Sequence, residues 1–244
     1  MWNCARNSAI IALVKDRVNL PNTKDPVCGR SLRIPFEWPD RYPAFLEKFL
    51  YIPRLYERHA SIEKWSLLFE KDQPVVIEYC SGNGQWIGKK AKENPHLNWV
   101  AVEKMFERAK KCWLVGQREG LSNLYVVCGD AITFTKFYAP IESVEEIYVN
   151  FPDPWPKWRH AKHRVVAAPF LRELLRIVKR GGRATFVTDD EPYVLFMLSE
   201  LKKCPEWAQL DAPFDAQSYG SSFFAELWKK KGKEIHYLLF ERVL

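Results

Sequence analysis

The sequence lacks any apolar run long enough to cross a lipid bilayer, which takes about 20 residues. The apolar stretch of residues 9–14 is too short for the core of a signal peptide, and Lys15, Asp16 and Arg17 follow it. We therefore expect no membrane partner and no export, and we expect the protein to be cytoplasmic.

Metal-binding and disulfide patterns are also missing. The six cysteines are Cys4, Cys28, Cys80, Cys112, Cys128 and Cys204. They form no Cys-x-x-Cys pair, and none is spaced from a histidine as in a zinc site. The sequence therefore predicts no metal centre, no disulfide bond and a reducing compartment.

Apolar surface and positive charge are abundant by contrast. Hydrophobic residues make up 47% of the 244 residues, which is enough for a sizeable core in one large domain. The net charge of +7 indicates an anionic partner, such as nucleic acid or an acidic membrane surface. Charge alone does not choose between them, and both a monomer and a homodimer remain open.

From residue 74 onward, short apolar runs alternate with amphipathic segments, as in a parallel sheet covered by helices. The runs predict strands over residues 75–79, 97–102, 124–128, 146–150, 183–187, 207–210 and 235–243. The amphipathic segments predict helices over residues 85–93, 104–119, 165–179 and 191–201. We predict an α/β fold with a doubly wound, mostly parallel seven-stranded sheet, helices on both faces and an antiparallel last strand.

Residues 1–73 form a different kind of segment, in which prolines recur and aromatic residues are frequent. This content is too apolar for a disordered tail, so we predict an N-terminal extension packed on a main domain of residues 74–244. Within it, the spacing predicts helices over residues 42–49 and 61–69.

Five predicted strands end in a carboxylate. These carboxylates are Glu78, Glu103, Asp130, Asp153 and Asp189. Because ligands of such sheets bind beyond the carboxyl ends of the strands, we expect the five side chains to converge on one site.

The first strand-to-helix turn carries Gly82 and Gly84, whose missing side chains let the backbone approach a ligand. Glu103 follows Gly82 by 21 residues (103 − 82) and can accept both hydroxyls of a ribose. Ile87 replaces the third glycine of a dinucleotide pattern, and no lysine follows the glycines as in a triphosphate site.

S-adenosylmethionine, which has a ribose and an adenine but no pyrophosphate, fits this turn better. Glu78 would face its cationic end, and Asp130 would accept from the adenine amino group. The alternative is that residues 81–84 form an ordinary tight turn; the carboxylates at the next two strand ends favour the cofactor.

A basic, proline-rich loop follows the fourth of these strands. Its prolines prevent a helix or a continuing strand, and two of them flank Asp153. Trp155 and Trp158 alternate with the cations Lys157, Arg159, Lys162 and Arg164. Interleaved indoles and cations are typical of a surface that binds an anionic aromatic polymer, although a plain basic surface loop would share this composition.

The run from Asn150 to Arg164 resembles the hallmark of the bacterial tRNA (guanine-N7)-methyltransferases, Phe-Pro-Asp-Pro-Trp-x-Lys-x-Arg-His-x-Lys-x-Arg. Residues 188–193 resemble the Thr-Asp-x-x-x-Tyr motif of the same family. The resemblance covers residues 74–244. It implies a class I methyltransferase fold, S-adenosylmethionine as methyl donor, and N7 of guanine 46 in the tRNA variable loop as the target.

The resemblance also assigns roles to individual residues, with Asp153 as the catalytic one. The cofactor positions are Glu78, Gly82, Gly84, Glu103, Asp130 and Asp153. The substrate positions are Lys157, Asp189, Ser222 and Glu226, and the RNA-binding positions are Arg159, His160, Lys162, His163 and Arg164.

Three positions depart from the family pattern. Cys80 replaces the first glycine of the turn, so we expect a tighter backbone or a displaced cofactor. His163 stands where many members have a second arginine. Ser222 keeps the hydroxyl of the family's Thr-x-x-Glu motif, but Ala225 lacks the carboxylate, which leaves the adjacent Glu226 as its substitute.

Guanine N7 carries a lone pair and no proton, so methyl transfer is a displacement on a sulfonium that needs no obligatory deprotonation. Asp153 would stabilise the cationic product, and Asp189 would hold the base edge or cap the helix near Glu191. Alternative functions are methylation of another RNA or of a small molecule, and RNA binding with impaired catalysis.

Overall fold

The computed structural model describes residues 27–28, 31–32, 42–54, 56, 59, 61–211 and 214–243. The apolar stretch of residues 9–14 and much of the predicted extension lie outside these residues, as does the side chain of Trp158.

The described chain contains eleven strands and seven α-helices. The strands are β1 (Val27–Cys28), β2 (Ser31–Leu32), β3 (Ala44–Leu46), β4 (Phe49–Tyr51), β5 (Val75–Tyr79), β6 (Asn98–Glu103), β7 (Leu124–Cys128), β8 (Val144–Asn150), β9 (Val178–Thr188), β10 (Trp207–Gln209) and β11 (His236–Arg242). The α-helices are α1 (Gln85–Glu93), α2 (Phe106–Arg118), α3 (Ala131–Phe137), α4 (Ala168–Ile177), α5 (Glu191–Leu201), α6 (Ala216–Tyr219) and α7 (Phe223–Lys230).

Nine of the strands form one sheet in the order β10-β11-β9-β8-β5-β6-β7-β4-β3. Strands β5 to β9 are parallel, and the chain winds outward from β5 in both directions. β11 is antiparallel to its two neighbours, β9 and β10. The doubly wound prediction is therefore confirmed, and the strand order reverses between β5 and β8, where such sheets open a crevice for ligands.

Helices cover both faces of the sheet. On one face, Phe134, Phe170 and Met197 bring α3, α4 and α5 into a common core with the strands. On the other face, Ile87 and Trp113 do the same for α1 and α2. All residues of β5, β6 and β7 are buried, as expected of parallel strands covered on both sides.

The predicted helix over residues 42–49 is wrong, because part of this segment forms a β-hairpin. Lys48 adopts the left-handed conformation (φ 50°) in the turn between β3 and β4. β4 pairs in parallel with β7, which extends the sheet from the seven predicted strands to nine. The open edge of β7 offers hydrogen bonds that the local spacing does not reveal. Within residues 61–69, only Trp65–Leu67 forms a helical turn.

Replacing Gly84 with alanine should destabilise the protein more than the same change at Gly120. Both glycines adopt the left-handed conformation, with φ of 76° and 64°, which costs other residues about 1–2 kcal/mol. A Cβ at Gly84 would also lie 2.6 Å from Cα of Cys112, whereas one at Gly120 meets no atom within 4 Å. Overpacking of this kind adds about 1–3 kcal/mol.

Urea unfolding of the two variants measures this difference directly. Equal losses of unfolding free energy would contradict the close approach of the turn to α2.

Candidate active site at the reversal of strand order

Both strands that flank the reversal end in an unusual backbone conformation. Cys80 follows β5 with φ 62°, and Phe151 follows β8 with φ 48°. Trp155, in the loop beyond, has φ 44°. Each such non-glycine residue costs on the order of 1–3 kcal/mol, and strain of this kind collects at functional sites. Cys80 thus keeps the conformation that the family's glycine would adopt easily.

Glu78 lies in β5 beside the crevice and is only 2% exposed. Its Oε1 accepts a hydrogen bond from Nδ2 of Asn150 at 2.7 Å, and its Oε2 has no partner among the described residues. Burial raises the pKa of Glu78 to about 7, against the lowering effect of the hydrogen bond from Asn150. A buried, unpaired carboxylate oxygen fits a cationic or hydrogen-bond-donating ligand.

The thiol of Cys80 marks the point where four predicted cofactor carboxylates meet. Burial is the main reason why the pKa of this thiol lies well above its usual value. The negative charges of Glu103, Asp153, Glu78 and Asp130 raise it further. The structure therefore brings together side chains from four strand ends at one turn.

Glu103 braces the glycine turn from the end of β6. Its Oε2 accepts from the backbone N–H of Gly82 and its Oε1 from that of Met105, both at 2.9 Å. Burial raises the pKa of Glu103, and these two hydrogen bonds act in the opposite direction. The apolar side chain of Met105 is 59% exposed next to the carboxylate.

Asp130 is the N-cap of α3, a helix that the sequence pattern does not predict. Its carboxylate accepts from the backbone N–H of Thr133 at 3.1 Å and forms an ion pair with Lys104 at 3.6 Å. The side chain remains partly exposed at the crevice, so the capping role leaves room for a ligand contact.

Gly82 and Gly84 have different surroundings in the turn. Gly84 packs against Cα of Cys112 in α2, so the space that a side chain would need is filled by the protein itself. Gly82 adopts φ 56°, and its nearest side chain is that of Phe224, 3.5 Å from a Cβ built on it. The ring of Phe224 also lies 6.0 Å from that of Phe151, so α7 covers the ends of β5 and β8.

The proline-rich loop is tied to the protein by Arg164. Its Nε donates to the carbonyl oxygen of Pro154 at 2.7 Å, and its guanidinium lies 4.6 Å from the ring centroid of Phe196 in α5. This predicted RNA-binding residue thus anchors the loop. The indole of Trp155 packs near His160 and His163, with ring centroids 5.6 and 5.3 Å away.

The remaining charged residues of the loop face solvent. Asp153, Lys157, Arg159 and Lys162 are exposed. Within the part of the chain that the structure describes, none of these three cations forms an ion pair. They are therefore free to bind an anionic partner.

Asp189 lies at the end of β9 and does not cap the following helix. Asp190 does, because its side chain accepts from the backbone N–H of Tyr193 at 2.8 Å. Asp189 instead forms an ion pair with Lys233, whose Nζ lies 4.2 Å from the ring centroid of Trp228. The helix-cap alternative for Asp189 is therefore wrong, and its carboxylate faces the segment that leads into β11.

The altered C-terminal motif begins α7. Ser222 is its N-cap and accepts from the backbone N–H of Ala225 at 3.2 Å. The family spacing Thr-x-x-Glu is that of a capping box, so Ala225 has lost the reciprocal side-chain bond. Glu226 is exposed and accepts from the hydroxyl of Ser221, so its carboxylate is engaged at the start of α7.

Two buried residues of the site escape the sequence analysis. Asn150, the first residue of the basic run, binds Glu78, and the hydroxyl of Tyr219 donates to Asn150 at 2.8 Å. The position of Asn150 at a strand end is a signal for the first, but nothing in the sequence points to Tyr219.

Among the described residues, no cluster of three His, Cys, Asp or Glu side chains is arranged to hold a metal ion. No described helix is long and apolar enough to span a membrane.

Replacing Glu78 with glutamine should alter how stability depends on pH. The folded-state pKa of about 7 lies above the ordinary 4.5, so the native state loses stability as pH rises through this window and loses no more above it. The shift corresponds to about 3 kcal/mol. The unfolding free energy of the variant, relative to that of the wild type, should therefore rise by about this much between about pH 4 and about pH 8.

Urea unfolding at both pH values gives this comparison. A difference between the two proteins that stays constant with pH would contradict the burial of an ionisable Glu78.

Known proteins resemble the chain in sequence. A family model described as "Putative methyltransferase" matches residues 72–238. A tRNA (guanine-N(7)-)-methyltransferase of Chlamydia felis is 38% identical over 218 residues, which cover 88% of this chain and 97% of the relative. A protein of the same name from Staphylococcus aureus is 34% identical over 172 residues, covering 69% of this chain and 80% of the relative.

Solved structures support the fold. The 16S rRNA methyltransferase KamB matches with a TM-score of 0.57 at 17% identity, covering 74% of this chain and 93% of its own. A 16S rRNA (adenine(1408)-N(1))-methyltransferase from Catenulisporales acidiphilia matches with a TM-score of 0.52 at 17% identity, covering 74% and 90%. These likenesses confirm a class I methyltransferase fold. The family is shown by the sequence relatives, which match most of the chain. The chain therefore belongs to the tRNA (guanine-N(7)-)-methyltransferase family.

Proposed function

We propose that the protein transfers the methyl group of S-adenosylmethionine to N7 of a guanine in tRNA, and that this guanine is nucleotide 46 of the variable loop. Family membership supports the reaction. The observation that carries the proposal is the convergence of four carboxylates on one strained turn, beside a loop with three exposed cations. One chain supplies all of these residues, so the proposed site needs no second copy. We also infer a cytoplasmic location, because the proposed substrate is tRNA.

The cofactor would be held at the carboxyl ends of β5, β6 and β7. The unpaired Oε2 of Glu78 fits its ammonium group. Each oxygen of Glu103 keeps a lone pair after bonding the backbone, which fits the ribose hydroxyls. Asp130 would accept from the adenine amino group, the backbone of Gly82 would line the cofactor site beside Glu103, and Gly84 sets the turn against α2. When bound, S-adenosylmethionine supplies an electrophilic methyl group on a sulfonium centre.

Asp153 is the residue we assign to the reacting base. Its charge acts on the thiol of Cys80, so it lies near the cofactor carboxylates, and its side chain faces solvent. Because N7 has no proton to lose, the role of Asp153 is electrostatic: it stabilises the positive charge that develops on guanine. It also accepts a hydrogen bond from the guanine edge, which helps to hold N7 in line with the methyl group.

The far side of the proposed guanine pocket comes from β9 and α7. Asp189 offers a second acceptor for the base edge, with Lys233 beside it. The first turn of α7, with Ser222 and Glu226, lies above the strand ends because Phe224 contacts that region. N7 faces the deep groove of an RNA helix, so the base must be splayed into this pocket.

The proline-rich loop would bind the tRNA backbone. Lys157, Arg159 and Lys162 would neutralise phosphates, and His160 and His163 would add donors beside Trp155. Arg164 contributes indirectly, because it fixes the conformation of the loop.

Replacing Asp153 with asparagine should lower kcat for tRNA methylation by about 100-fold or more, because charge stabilisation in the transition state is lost. Binding of tRNA should be nearly unchanged, since the phosphate contacts remain. Methyl transfer from labelled cofactor to tRNA, with nucleoside analysis for 7-methylguanosine, measures the effect.

Asp72 provides the matched control for this substitution. It is an exposed aspartate that precedes β5, so it lies at the amino ends of the strands, opposite the proposed site. The proposal fails if the asparagine variants at the two positions have equal activity, or if the wild type produces no 7-methylguanosine.

Replacing Arg159 and Lys162 together with glutamine should weaken tRNA binding and flatten its salt dependence. Each lost phosphate contact reduces the slope of log K against log salt by about 0.7–0.9. The control pair is Arg180 and Lys202, which are exposed at the amino ends of the strands, opposite the proposed site. Filter binding at several salt concentrations tests this, and an unchanged slope in the loop variant would rule the loop out as the tRNA contact.

A further inference from the structure

Three buried side chains form a hydrogen-bonded chain across the reversal point. The hydroxyl of Tyr219 donates to Oδ1 of Asn150 at 2.8 Å, and Nδ2 of Asn150 donates to Oε1 of Glu78 at 2.7 Å. Glu78, Asn150 and Tyr219 are each at most 3% exposed. They come from β5, β8 and α6, which are far apart in sequence.

This chain of bonds fixes the orientation of every group in it. Burial holds the pKa of Tyr219 well above its usual value, so its hydroxyl keeps its proton and donates. The amide of Asn150 must then present its oxygen to Tyr219 and its NH₂ to Glu78. Glu78 is engaged through Oε1 alone, and Oε2 is left without a partner among the described residues.

Tyr219 is itself held firmly on α1. Its backbone carbonyl accepts from Nε1 of Trp86 at 2.9 Å, and the carbonyl of Ser218 accepts from Nζ of Lys90 at 2.7 Å. Its ring lies 5.4 Å from that of Tyr237, between centroids. The hydroxyl is therefore positioned by packing from several elements and does not depend on Asn150 for its place.

We propose that Asn150 and Tyr219 are positioning residues for the cofactor, which orient Glu78 so that its free Oε2 meets the ammonium group of S-adenosylmethionine. This inference rests on the proposed function. Neither residue contacts the reacting atoms; both act through Glu78.

The electrostatic surroundings of Glu78 make the proposal measurable through pH. The titratable groups that act on it are Glu103, the thiols of Cys80 and Cys112, and Tyr219, none of which is a cation. The hydrogen bond from Asn150 favours the ionised carboxylate. Its removal should therefore move the ionisation of Glu78 to higher pH, and ammonium binding requires that ionisation.

The test uses S-adenosylhomocysteine, which retains the ammonium group, and isothermal titration calorimetry from about pH 5.5 to about pH 8.5. Wild-type affinity should fall as pH drops below about 7. In Asn150→Ala the midpoint of this fall should rise by about one pH unit, with about fivefold weaker binding near pH 7, about tenfold weaker binding at the lowest pH, and a smaller deficit at high pH. Tyr219→Phe should shift the midpoint in the same direction by less.

Tyr237→Phe is the matched control, because it removes a hydroxyl from the same aromatic cluster without touching the chain to Glu78. Its pH profile should match the wild type. A loss of affinity in Asn150→Ala and Tyr219→Phe that is equal at every pH would overturn the proposal, since packing damage has no pH dependence of this kind. If Asn150→Ala fails to fold, Tyr219→Phe decides alone. A wild type that does not bind S-adenosylhomocysteine would instead overturn the proposed function.

Discussion

A carboxylate buried where the strand order of the sheet reverses is the constraint on which the rest of the site depends. Glu78 is almost fully buried, and one of its oxygens has no partner among the described residues. Such an arrangement destabilises an empty protein, and it is tolerated because the surrounding core is extensive on both faces of the sheet. The left-handed conformations of Cys80 and Phe151 add to the cost at the same place. Burial of an unpaired carboxylate oxygen and a strained backbone both destabilise the protein at this one crevice. Such costs cluster at ligand sites, where ligand binding can relieve part of them.

The parts of this architecture that depend on local pattern can be predicted from the sequence. Apolar runs such as residues 75–79 predict strands because parallel strands are buried on both faces. Once the strands are known, Glu78, Glu103, Asp130 and Asp153 must approach one another, since they lie at or just beyond the carboxyl ends of neighbouring parallel strands. The charge of each of them raises the pKa of the Cys80 thiol, so all four lie near the first turn. Which of them contacts cofactor or base remains a proposal.

The features that sequence reasoning misses all depend on partners that are distant along the chain. The hairpin of β3 and β4 forms because β7 has a free edge, and the helical spacing of residues 42–49 contains no trace of that edge. Arg164 looks like one more cation for RNA until Phe196 of α5 is placed beneath it. Tyr219 belongs to a four-residue helix, and its hydrogen bond to Asn150 is visible only in the folded structure. Local propensity describes elements, whereas these contacts arise only when elements from separate parts of the chain meet.

The cysteine at the first glycine position shows how the site accommodates a departure from the family pattern. A side chain at Cys80 must accept a left-handed backbone and a place among four carboxylates. A fifth negative charge there would repel all four, and burial together with their charges keeps the thiol protonated and neutral. Cysteine is also small enough to sit beside the turn without displacing Gly82. The substitution therefore changes the strain of the turn while leaving the charge of the site unaltered, which is why a site built on carboxylates tolerates it.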